Sequence, residues 1–429
     1  MNLTNNINSA QKTFLEWKKV PFIERQTLLL KLADVLEKDK EKFAKLITTE
    51  MHKPISQSIA EIEKSAGMIR YYAKAENVLK PEKIKTEFDV SEVHYDALGI
   101  ILGVMPWNFP FWQVLRFAVP AILAGNVVLL KHASICFESG DTVQKVFKDA
   151  GFPEYIFQNL RIGHEEIKEI LENPYVRGVS LTGSEKAGAN VAALAGKNIK
   201  KSVLELGGSD AYIVLDDADV EKAATEAPSG KLQNTGQVCN AAKRFIVHQK
   251  VEKDFVPKFV TEFNSYQPAD PFNKETKLSK MARPDLADEL ESQYKKALRN
   301  GAEVVLALER ISESEFRPGI ILVKEGNPIL QEELFGPLAM LMVGKDDEEI
   351  LKLANDIPFG LGNSVWTKDK ERAQFFIENL ESGTVSINKS TSSDARLPFG
   401  GAKSSGYGVE LSLHAIKEFT QIKTVVGNI

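Results

Sequence analysis

The sequence predicts an α/β protein made of two doubly wound parallel-sheet domains with a small projecting β element. Three observations carry this. From residue 99 onward, short β-rich apolar runs alternate with stretches of helical period, the texture of βαβ units. The alternation comes in two blocks that meet near residues 204–210. The chain has 429 residues, more than one ordinary core holds.

The region before residue 99 differs. SAQKTFLEWKK, IERQTLLLKLADVLEKDKEKFAKLITTEM and SQSIAEIEKSAGMIRYYAKAENVL carry apolar residues at three- and four-residue spacing and predict helices. Pro54 is placed to open the third. TEFDVSEVHYDAL, residues 86–98, loses that period and predicts an extended excursion. In the first alternating block, GIILGVM, NVVLLKH and RGVSLTGS predict buried parallel strands. FWQVLRFAVPAILAG, SGDTVQKVFKDAG and SEKAGANVAALAG predict its helices. In the second, AYIVL, RFIVH, EVVLA and LAMLMVG are the strands. DVEKAATEA, VEKDFVPKFVTEF, ADELESQYKKALRNG and DEEILKLAN are the helices. The tail FTQIKTVVGNI is extended and, with 86–97, predicts a projecting sheet.

Composition narrows the function classes. Hydrophobic residues make up 43% and charged residues 26%, as in soluble globular proteins. A net charge of −5 and no basic block argue against a nucleic-acid partner. The apolar stretch 97–130 is interrupted by Pro106, Pro110, Pro120 and several polar residues, so no membrane span is expected. Two cysteines fit a reducing compartment, and the N-terminal residues lack the basic and apolar regions of a signal peptide. The expected location is therefore the cytoplasm. Six scattered histidines form no metal-binding pattern, so no metal is expected.

Four stretches could carry chemistry, and each has a plain structural reading beside it. In NTGQVCN, Cys239 could be a nucleophile whose backbone N–H is aimed by the freedom of Gly236, or an inert small residue. In LELGGSD, Glu205 among leucines could be a desolvated base, or a strand residue turned to water. In MPWNFPFWQ, Asn108 between two prolines could donate to an oxyanion, or simply occupy a turn. In VSLTGSEKAGANVAALAG, Gly183 and Gly188 flank a helix start that could offer amides to a phosphate, or form an ordinary turn. Together they suggest covalent catalysis at a carbonyl. Cys136, between apolar side chains, reads as inert packing.

In their order, seven motifs resemble the aldehyde dehydrogenase superfamily: PWNFP (106–110), KHAS (131–134), TGS-x3-G (182–188), ELGG (205–208), N-x-GQ-x-C (234–239), EE-x-FGP (332–337) and PFGG-x-K-x-SG (398–406). The 34-residue step from Glu205 to Cys239 is also typical of it. The resemblance implies an aldehyde dehydrogenase-like fold of two Rossmann-type domains plus an oligomerisation element. The cofactor-binding domain would be 1–85 and 98–206, the catalytic domain 207–398, and the oligomerisation element 86–97 with 411–429. It implies a homodimer or homotetramer. It also implies an N-terminal extended segment with an NP-x-TGE-like turn. This sequence starts almost at the helices, so a trimmed edge of the cofactor domain is expected.

The resemblance assigns roles. Cys239 would attack the aldehyde to give a thiohemiacetal, then a thioester, and Glu205 would activate water for hydrolysis. Asn108 and the Cys239 N–H would form the oxyanion hole. Pro106, Trp107, Lys131, Ser134, Gly183, Ser184, Glu333 and Phe335 would hold the dinucleotide. Ser134 is neutral where NAD-preferring relatives often carry Glu, so NADP is expected to be preferred, with NAD also accepted. Short bacterial NAD(P)-dependent succinate-semialdehyde dehydrogenases are the subgroup most similar. Arg116 would bind the distal carboxylate of such a substrate bidentately, or else pair with a protein acid. Trp112, Gln233 and Phe399 would complete the pocket. Some succinate-semialdehyde enzymes place a second arginine where Gln233 stands, and its absence leaves a broader, neutral-aldehyde range open. A CoA-acylating enzyme would have little use for Glu205, and a cysteine hydrolase would need a histidine partner that no motif supplies. A catalytically silent nucleotide-binding protein would not need Cys239, Glu205, Asn108 and Glu333 together.

Overall fold

The computed structural model describes residues 3–428. Four helices come first: Leu3–Trp17, Phe22–Lys38, Lys40–Met51 and Ile55–Tyr72. The long helical stretch read from 23 to 51 is two helices, because Asp39 leaves helical geometry at φ −107° and ψ 17°. His52, at φ 62°, ends the second of them, and Pro54 stands just before the helix Ile55–Tyr72.

Six strands form the first sheet, in the order Gly406–Tyr407, Lys201–Glu205, Val176–Thr182, Ile100–Met105, Val127–His132, Phe157–Asn159. All neighbours are parallel except Gly406–Tyr407. Every residue of Ile100–Met105 and Val127–His132 is buried. That is why those runs are continuously apolar: both faces of a parallel sheet are covered. The helix Trp112–Leu123 and the N-terminal helices share one core with this sheet.

The second sheet has seven strands: Glu303–Leu306, Gly319–Leu322, Leu338–Gly344, Ala242–His248, Asp210–Val214, Gly362–Trp366 and Thr384–Ile387, parallel apart from the Glu303–Leu306 edge. Side-chain alternation separates its faces. Ala211 and Ile213 enter one core, Tyr212 and Val214 the other.

Val90–Ala97 pairs antiparallel with Thr420–Gly427 over its whole length, and Glu82–Lys83 extends that sheet. Among the described residues, no helix is long and apolar enough to cross a membrane.

Candidate active site

Cys239 lies on an unusual backbone. After the helix Val220–Leu232, Asn234, Thr235 and Gly236 all adopt positive φ, at 49°, 57° and 77°. A β-branched Thr rarely takes this conformation, so the surroundings must hold it there. Asn234 Nδ2 donates to Asn108 O at 2.9 Å, and its backbone N–H donates to Gln57 Oε1 at 2.7 Å. Thr235 Oγ1 donates to Ser279 O at 3.1 Å. Gln237 Nε2 donates to Asn234 O at 3.0 Å, while its Oε1 accepts from Ala282 N at the same distance. A Cβ on Gly236 would stand 2.2 Å from Gly336 O, so the FGP segment leaves room only for glycine.

Asn108 is buried beside this loop. Its Nδ2 donates to Gln237 O at 3.0 Å, which uses one amide hydrogen and leaves the second. Glu205 ends its strand 2% exposed, and neither carboxylate oxygen has a hydrogen-bond partner among the described residues. The reading of Glu205 as a strand residue facing water therefore does not hold. Burial lifts its carboxyl well above the usual carboxylate range. Arg116 opposes this rise, and Glu410 adds to it.

Cys239 retains some solvent exposure and lines two cavities. Burial pushes its thiol up to about 11, against the pull of Lys243 and Arg116, with Glu333 and Glu205 pushing the same way as burial. The thiolate is therefore scarce at neutral pH. Alkylation of Cys239 by iodoacetamide is expected to accelerate roughly tenfold per pH unit from pH 7 to 9, following the thiolate fraction. A flat rate across that window would show the thiol already ionised. Cys136 is fully buried with its Sγ 3.7 Å from Trp107 O, and is expected to stay unlabelled until the protein unfolds.

The larger cavity, about 430 Å³, joins Cys239 and Asn108 to Pro106, Trp107, Gly183, Ser184, Glu333 and Phe335. It opens at the C-terminal ends of the first sheet's strands, where open α/β sheets bind ligands. Ser184 caps the helix Glu185–Lys197, its Oγ accepting from Ala187 N at 3.4 Å. A Cβ on Gly188 would lie 2.5 Å from Leu206, so glycine lets that helix sit close against the sheet. The buried Thr182 hydroxyl faces the same cavity without a hydrogen-bond partner among the described residues. These free donors and the positive helix end suit a dinucleotide's phosphates. Glu333 Oε1 accepts from Gly208 N at 3.2 Å and pairs with Lys243 Nζ at 3.0 Å. Trp107 and Phe335 meet edge to face, 5.9 Å apart.

Lys131 and Ser134 are not in the walls of this cavity. Lys131 is buried one residue before the end of Val127–His132, and burial pulls its ammonium down while Glu166 opposes. Ser134 is exposed and begins the short turn Ser134–Cys136. Lys131 lies in, and Ser134 follows, a strand paired with the one that leads into Pro106.

The smaller cavity, about 160 Å³, brings Trp112, Arg116, Gln233 and Phe399 together with Cys239. Arg116, 2% exposed, pairs through Nε with Glu410, and its guanidinium lies 4.7 Å from the Phe399 ring centroid. The protein acid offered as its alternative partner thus exists. Glu410 arrives because Phe399 and Glu410 exchange backbone hydrogen bonds at 2.7 and 2.8 Å. Arg116 Nη2 nevertheless has no hydrogen-bond partner among the described residues. Sequence reasoning missed Glu61, Lys64, Lys243 and Glu410. Of these, only Lys243, four residues after Cys239, lies near a motif of the nucleophile loop.

The family model described as "Aldehyde dehydrogenase family" matches residues 1–425. A protein of Synechocystis sp. named a probable succinate-semialdehyde dehydrogenase (NADP(+)) is 44% identical over 423 residues, covering 98% of this chain and 93% of the relative. A succinate semialdehyde dehydrogenase (NAD(P)+) of Escherichia coli K12 is 41% identical over 428 residues, covering 99% and 93%. The solved structure of succinic semialdehyde dehydrogenase from Streptococcus pyogenes in complex with NADP+ superposes with a TM-score of 0.96 at 35% identity, covering 99% and 94%. With the family model matching nearly the whole length and the whole fold shared, the chain belongs to the aldehyde dehydrogenase family.

Proposed function

We propose that this enzyme oxidises succinate semialdehyde to succinate, preferring NADP and also accepting NAD. The observation that carries the reading is the pocket in which Cys239 shares its walls with Arg116, whose Nη2 is free to donate to a carboxylate. Cys239 Sγ attacks the aldehyde carbon. The remaining Asn108 N–H and the Cys239 backbone N–H receive the oxyanion. When bound, the nicotinamide dinucleotide supplies the hydride acceptor. Glu205, desolvated and unpartnered, takes the proton from the water that hydrolyses the thioester. The similarity to relatives named for this substrate supports the same reading.

For the cofactor, the neutral Ser134 beside Lys131 presents no carboxylate to repel a 2′-phosphate. We further infer the domain roles given above, a cytoplasmic location in keeping with two free thiols, and a homodimer or homotetramer. Ile422 and Val426, more than half exposed on the projecting sheet, and Ile84 just past its edge strand, support assembly through it. Because Glu410 already neutralises Arg116, a broader enzyme for neutral aldehydes is the second reading.

The test follows reduced-nicotinamide absorbance with succinate semialdehyde and with butanal, each with NADP and NAD. A kcat/KM at least about tenfold higher for the acid aldehyde, one good charge-assisted contact, is the expected result. Equal or better use of butanal would discard the substrate and keep the dehydrogenase.

A further inference from the structure

We propose that Lys64 supplies the second cation that holds the substrate's distal carboxylate, the role for which Gln233 has no charge. This rests on the substrate reading above. Three charged side chains line the nucleophile pocket: Glu61, Lys64 and Arg116. Glu61 is spent within the protein. Its Oε1 accepts from the backbone N–H groups of Phe111 and Trp112 at 2.9 and 3.0 Å, and its Oε2 pairs with Lys53. Arg116 is paired with Glu410. Lys64 has no carboxylate partner among the described residues. Its Nζ donates to Ser393 Oγ at 2.7 Å and lies 4.4 Å from the centroid of the Trp112 ring.

The pocket therefore keeps one cation without an ion-pair partner among the described residues, one helical turn from Glu61 on Ile55–Tyr72. The lysine is exposed overall, yet its ammonium end reaches in against Trp112 and Ser393. Burial there, then the charge of Arg116, pulls it down to about 8, while Glu61, Asp394 and Cys239 oppose. An entering carboxylate would relieve that repulsion and form a charge-assisted hydrogen bond. An adjoining chamber shares Gln57, Gln233 and Thr391 with this pocket and adds Lys277 and Lys389, beside Glu226. An anionic aldehyde would pass two further lysines on that side.

The experiment compares wild type, Lys64→Met, Lys64→Arg and Lys64→Met/Gln233→Arg, measuring kcat/KM for succinate semialdehyde and for butanal with NADP. Lys64→Met is expected to lower the acid-to-neutral ratio about tenfold, mainly through KM, the size of one lost charged hydrogen bond. Lys64→Arg should keep most of the ratio, and Gln233→Arg should restore part of it, since residue 233 lines the same pocket. A wild-type preference for the acid that survives Lys64→Met overturns this inference alone. A wild type with no such preference overturns the substrate reading and this inference together.

Discussion

Cys239→Ala is expected to lower dehydrogenase turnover by at least ~10⁴-fold, the scale seen when a covalent nucleophile is removed. No other side chain around the reacting carbonyl can take over. Cys136 is fully buried, and Glu205 is a carboxylate, assigned above to the water step and not to the thioester. The fold should tolerate the change, because the loop is held by Asn234, Thr235 and Gln237 and not by the sulfur. NADP binding should stay within about threefold of wild type, since one lost thiol contact is worth little beside the rest of the cavity. Quenching of tryptophan fluorescence would read it, as Trp107 lines that cavity. Turnover that persists in this variant would sink the assigned chemistry. Lost cofactor binding would show that Cys239 also holds the loop in shape.

Lys53→Met is expected to cost about 3–5 kcal/mol of stability, the usual penalty for leaving a buried charge without its partner. Both Lys53 and Glu61 have fully buried side chains, and they pair with each other. Glu61 Oε1 also accepts from Phe111 and Trp112, so it ties the helix Ile55–Tyr72 to the start of Trp112–Leu123. The Lys53 ammonium stands 3.7 Å from the centroid of Phe109, next to Asn108. The loss should therefore reach activity as well as stability. Lys53→Met/Glu61→Gln should regain part of the loss, because a glutamine oxygen can still accept from the two backbone amides and carries no charge. Urea unfolding of the three proteins would measure this. A single variant within about 1 kcal/mol of wild type would mean that water or a neighbour already satisfies Glu61.

Much of the scaffold was legible because its signals are local. A run such as VVLLKH can be continuously apolar only where both faces are covered, and Val127–His132 is buried throughout. The helix after TGS starts where the sequence placed it, with Ser184 as its cap. Shorter strands were missed. Phe157–Asn159, Gly319–Leu322 and Thr384–Ile387 are three or four residues long, too short for a period to declare itself. The break at Asp39 was missed because apolar spacing continues across it while the backbone does not.

Motif order in the sequence by itself determined the candidate nucleophile, amide donor and base, since these residues sit in short stretches whose types already limit their chemistry. Tertiary structure alone decided what surrounds them. Glu205 carries no sign in its neighbours that both of its oxygens go unbonded. Arg116 meets an acid 294 positions away through the bridge between Phe399 and Glu410. Lys64 reads in sequence as one more lysine on the polar side of a helix. Its difference is that its ammonium end, without an ion-pair partner among the described residues, reaches into the pocket against Trp112 and Ser393, and charge balance in a pocket is a sum over elements distant in the chain. Sequence periodicity reports how a segment faces the core. It cannot report which charges that core and its cavities leave uncompensated.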